Sequence, residues 1–133
     1  MDDARIIIDP VTWLEVEVPI YATDTAAIEK EHRRREGRIS SLILEPEYGC
    51  GAPLWDRSGP VDLESYGVSR KLRDDLSAWL SFWEDNFHYE HGWASAVSRK
   101  EWSERGEDLY GRLCREVWEL ADVKPEFRKF TTT

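Results

Sequence analysis

Over residues 69–89, large apolar side chains recur every three or four positions: Leu72, Leu76, Trp79, Leu80, Trp83 and Phe87. That spacing follows the helical repeat and places them on one broad stripe, which commits the segment to an amphipathic helix. A stripe this wide has to be covered, and the rest of the chain must supply the cover. Gly92 breaks the pattern. A second helix is expected from Ser98, where Ser98 and Glu101 have the spacing of a capping box, to about Ala121. Its stripe is Trp102, Leu109, Leu113, Val117 and Leu120. Gly106 and Gly111 interrupt it, and their expected use is close approach to a neighbouring helix.

The first part of the chain is patterned differently. Residues 5–8 form a short apolar run stopped by Asp9-Pro10. Residues 14–20 alternate, with Leu14, Val16, Val18 and Ile20 on one face and Glu15 and Glu17 on the other, as in a half-buried strand. Thr23 or Asp24 can cap a helix that runs to about Glu36 and is ended by Gly37. Its interior is nearly all charged, so it belongs on the surface. Residues 39–44 read as another strand, and strand–helix–strand suggests a crossover, with an antiparallel arrangement as the alternative. Residues 45–60 form a long connection rich in Gly and Pro, with Leu54 and Trp55 expected to anchor it. A last short strand is expected over residues 123–127. The expected class is α+β: a small sheet of three to four strands against two long antiparallel C-terminal helices, plus one short surface helix. A chain of 133 residues suits one domain, 1–133, with a short flexible tail at 129–133.

Charge narrows the partners. The formal net charge is −9, which repels a phosphate backbone and an anionic membrane, so neither direct nucleic-acid binding nor membrane binding is expected. An acidic surface suits a protein with a basic surface, and exposed aromatics suit a homodimer as well. Solubility alone is the plainer account of the same charge. The two cysteines, Cys50 and Cys114, lie far apart and have no metal-binding spacing; with no leader-like segment at Met1-Asp2-Asp3, a cytoplasmic chain with reduced thiols is expected.

Three constellations invite a chemical role. His88 and His91, with Glu84 one turn earlier, would share a face of a continuing helix and could hold zinc or iron, although His-x-x-His alone is a weak signal. Cys50, between Gly49 and Gly51, could be a nucleophile if a histidine folded against it. The bland accounts are a helix-terminal histidine interacting with the dipole and a small thiol in a turn. Acid pairs such as Glu84-Asp85 and Asp74-Asp75 point about 100° apart on a helix and do not converge. No phosphate loop or serine elbow is present. The third constellation is aromatic: Trp93 and Trp55, with the acids Glu84, Asp85 and Glu90, could form a partner-binding patch. The alternative is that these indoles cover helix ends.

The run Gly49-Cys50-Gly51-Ala52-Pro53-Leu54-Trp55 resembles a segment of a family of small actinobacterial and phage-borne proteins. There a Gly-Cys-x-x-Pro-Leu-Trp run precedes a Leu- and Trp-rich helix, an aromatic cluster and a charged capped helix. The resemblance spans roughly residues 45–127. It implies a discrete cytosolic domain and carries no catalytic residue and no cofactor.

The leading expectation is a non-catalytic interaction domain: an adaptor, an immunity-type protein or an inhibitor from a bacterial or phage system. The alternatives are a small metal or thiol enzyme built on Glu84, His88, His91 or Cys50, and a nucleic-acid mimic. Interspersed arginines such as Arg73, Arg112 and Arg115 count against the mimic.

Overall fold

The structure is a computed structural model and describes residues 4–49 and 51–131. It is α+β, with three α-helices and small sheets, and it divides into two compact units, Met1–Ile39 and Ser40–Thr133. Among the described residues, no helix is long and apolar enough to cross a membrane.

The first unit is a hairpin and a helix. Strands β1 (Arg5–Ile8) and β2 (Glu15–Val18) pair antiparallel, with Ile7 opposite Val16. The turn between them is organised by Asp9, whose Oδ1 accepts from the Val11 N–H at 2.8 Å while its backbone bonds Leu14 and Trp13. Trp13 adopts φ 61°, a left-handed conformation rare for a side chain of its size. Helix α1 (Asp24–Arg35) is capped by the Thr23 hydroxyl and ends in four basic residues, His32 to Arg35, that complement its dipole. Val16, Val18, Ala27 and Lys30 are buried, and Glu15 and Glu17 face outward, as the alternation predicts. The strand is shorter than expected: Leu14 and Ile20 fall outside it and are exposed. The crossover is also corrected, because β2 pairs with β1 and not with the strand after α1.

That strand, β3 (Ser40–Leu44), opens the second unit. It pairs antiparallel with β4 (Leu54–Asp56), which pairs with β5 (Gly59–Pro60). The expected long connection over residues 45–60 thus ends in a short meander. Trp55 lies in β4 opposite Ile43, and its indole N–H donates to the Glu45 carbonyl at 2.9 Å.

Helix α2 (Arg70–Asn86) carries the predicted stripe inward, with Leu72, Leu76, Trp79, Leu80 and Trp83 all buried. It is shorter than expected. The chain leaves the helix at Phe87 and makes a tight hairpin of β6 (Phe87–His88) and β7 (Gly92–Trp93), with Gly92 at φ 75° where the turn closes onto β7. Helix α3 (Ala96–Glu116) starts earlier than the capping box suggested. Its cap is Ser95, whose hydroxyl accepts from the Ser98 N–H at 3.0 Å, so Ser98 and Glu101 lie inside the helix. The helix ends before Val117, which leaves Leu120 off the stripe and exposed. Strand β8 (Ala121–Lys124) then joins β3 in parallel, and a 3₁₀ turn, Glu126–Phe130, buries Phe127.

The two long helices are joined by a reciprocal contact. The Trp79 and Trp102 rings stack at 4.3 Å, Trp79 donates to the Trp102 carbonyl at 3.0 Å, and Trp102 donates to the Trp79 carbonyl at 3.1 Å. Burying two indoles while satisfying both N–H groups removes the usual cost of an orphaned polar atom. Gly106 makes this packing possible, since a Cβ there would lie 2.7 Å from the Phe127 ring and 3.0 Å from Trp79. Gly111 meets nothing, contrary to its expected role in close packing.

Candidate interaction surface

The exposed functional candidates cluster where α2 gives way to the hairpin. Asn86 fixes that junction. Its side chain donates to the Phe82 carbonyl at 2.8 Å, its own carbonyl accepts from the Ala94 N–H at 2.7 Å, and its Oδ1 accepts from the Ser98 hydroxyl at 3.3 Å. Phe87 then turns inward, stacking on Trp83 at 5.2 Å and meeting Trp93 and Phe130 edge-on. Tyr48 reaches across to donate to the Phe87 carbonyl at 2.7 Å, and burial raises its phenol above the ordinary value. The base of the hairpin is therefore held by aromatic packing, and its tip projects His88, Tyr89, Glu90 and His91 into solvent.

Around that tip Glu84 and Asp85 are exposed on the last turn of α2. Glu90 lies two residues before the turn glycine, and Trp93 sits at the hairpin base. Trp93 is half-buried, with its indole N–H donated to the Phe130 carbonyl at 2.8 Å, so only part of its ring is presented outward. Trp55 lies on a different element, in β4. Tyr89, which is not among the expected partner-binding residues, is the most exposed aromatic of the second unit at 73%. Its only sequence signal was that it falls outside the α2 stripe.

The metal constellation changes membership. With the helix ending at Asn86, Glu84 no longer lies beneath His88, and the groups that converge are His88, Glu90 and His91, whose candidate ligand atoms all lie within 4.8 Å of one another. The two imidazoles lie nearly parallel at 4.7 Å. His88 Nδ1 accepts from the Glu90 N–H at 3.1 Å, which places the ring proton on Nε2 in the neutral form. Binding a metal through either nitrogen of His88 must disturb that arrangement. Cys50 lies outside the described residues. Cys114 is half-buried beside Tyr110, whose hydroxyl is pushed up to about 12, chiefly by burial.

Elsewhere several acids on the helices are paired with arginines. Arg112 bonds Asp75 at 2.8 Å, which lowers the Asp75 carboxyl, and Arg128 grips Glu107 with two bonds of 2.9 and 2.8 Å. Such pairs break up the helix faces that a phosphate mimic would need. A different surface belongs to the first unit, where Ile6, Ile8, Val11, Trp13, Leu14 and Ile20 are each more than half exposed.

The model of the Serratia CdiI immunity protein-like family matches residues 40–124, more than half of the chain. The chain belongs to that family. The match opens at Ser40, the first residue of the second unit, and closes at Lys124, the last of β8. It includes the hairpin and its acids and leaves out the first unit and the final 3₁₀ turn. No curated protein and no solved structure matches the chain.

Proposed function

We propose that this chain is an immunity protein that binds a protein toxin and neutralises it by occupying its surface. The observation that carries this reading is the family match over residues 40–124. The contact region is the acidic end formed by Glu84, Asp85 and Glu90, with Tyr89 and the outer edge of Trp93 as apolar anchors. A patch of this kind suits a toxin with a basic face, because complementary charge steers encounter and the aromatic groups hold the complex. Trp55 is the weaker member, being tied to the Glu45 carbonyl in the sheet. Helices α2 and α3, joined through Trp79 and Trp102, flank the hairpin on either side in the chain.

Affinity capture from the source cells, at low and high salt, tests this reading. The expected result is one stoichiometric protein partner, released progressively by salt, whose toxicity on expression is relieved by co-expressing this chain. Capture of only a second copy of the chain, or a partner whose toxicity is untouched, contradicts it.

A further inference from the structure

Beside the hairpin base lies an open cavity of about 670 Å³, lined by Phe87, Trp93, Ala96, Arg99, Lys129 and Phe130, with Gly92 and Ser95 at its edge. Its aromatic wall is formed before any ligand arrives. Phe87 packs edge-on against Trp93 at 5.4 Å and against Phe130 at 5.2 Å, and the Trp93 indole is locked to the Phe130 carbonyl at 2.8 Å. Gly92 and Ala96 add almost no bulk, which keeps the mouth open.

Two cations line the same cavity, and they differ. Lys129 is ion-paired with the Glu45 carboxylate and leans over the Phe130 ring, so its charge is already answered. Arg99 is half-buried, and its guanidinium makes no ion pair or hydrogen bond among the described residues. Arg105 is half-buried as well, but its guanidinium lies over the Phe82 ring, whereas that of Arg99 has neither an acid nor a ring against it among the described residues. A guanidinium offers a planar fork of donors that fits a carboxylate with two bonds. The adjoining rings accept a flat apolar group, and the cavity volume is in the range of small-ligand pockets.

We infer that this cavity binds an aromatic side chain with a carboxylate beside it, presented by the protein partner, with Arg99 taking the carboxylate and the Phe87–Trp93–Phe130 wall taking the ring. The source of that group rests on the toxin-binding reading above; the recognition is a property of this chain alone. The hairpin then separates two contacts of opposite sign, an acidic tip and a cationic aromatic cavity, which together fix the orientation of a bound partner.

The test titrates the full-length ¹⁵N-labelled chain with N-acetyltryptophan and with its neutral amide, following the Trp93 indole N–H resonance. The acid is expected to move that resonance saturably and to bind about tenfold more tightly than the amide, and Arg99→Gln is expected to bring the acid down to the level of the amide. No movement of Trp93 at about 20 mM acid, or equal affinities of acid and amide, overturns the site whatever the toxin does. If the probes behave as expected but toxin affinity is unchanged in Arg99→Gln, the assignment to the partner is overturned. A toxin that does not bind the wild-type chain at all instead contradicts the immunity reading, and the probe result still decides the site.

Discussion

At the scale of single residues, two buried polar arrangements make measurable demands. Asp9 is fully buried, and its carboxyl is held down to about 2 from an ordinary 3.8, first by the Val11 backbone N–H and then by His32, whose Nε2 lies 2.8 Å from Oδ2. A carboxyl with a depressed folded-state value adds stability above its ordinary value and loses it as pH falls through the depressed one. Denaturant unfolding of the wild type is therefore expected to weaken between about pH 4 and about pH 2 more steeply than that of Asp9→Asn; equal slopes would remove Asp9 from the account. Trp102 is the second case. Trp102→Phe removes the donor to the Trp79 carbonyl and part of a fully buried ring, and is expected to cost about 3 kcal/mol in denaturant unfolding. A loss below about 1 kcal/mol would show that the reciprocal contact contributes little.

At the scale of elements, the glycines of α3 separate packing from helix propensity. Alanine favours a helix interior over glycine by about 1 kcal/mol. At Gly111, where an added Cβ meets nothing, Gly111→Ala is expected to gain that stability. At Gly106 the same change drives a methyl into Phe127 and Trp79, and Gly106→Ala is expected to lower stability by about 1–3 kcal/mol. Thermal melts of the two variants should move in opposite directions, and a rise for both would mean that Phe127 yields without cost. The hairpin after α2 belongs to this scale as well. The apolar stripe runs through Phe87 without a break, so periodicity extends the helix. The chain leaves it because Asn86 satisfies the Phe82 carbonyl, the Ala94 N–H and the Ser98 hydroxyl at once. Only the last two of those partners depend on the fold, and neither has a local signal.

At the scale of the whole molecule, the sequence was most informative where burial is repetitive. The stripe of α2, the Val16/Val18 alternation, the Thr23 cap and the Gly37 stop are local facts, and each was legible. Pairing was not, because β3 takes its parallel partner β8 from about 80 residues away. The proposed contacts divide in the same way. Glu84, Asp85 and Glu90 were visible as charges near aromatics, whereas the Arg99 cavity depends on Phe130, far along the chain from Phe87, and no spacing announces it. The family match covers residues 40–124, the stretch that holds the proposed contact region, and a chain with the acidic end reversed provides the direct test. The decisive measurement is a binding titration of the captured toxin with wild-type chain and with the E84K/D85K/E90K variant, at low and high salt. The account predicts that the variant associates at least about tenfold more slowly at low salt and loses most of the salt dependence. Equal rates and equal salt dependence for the two chains would contradict the claim that this acidic hairpin end meets the toxin.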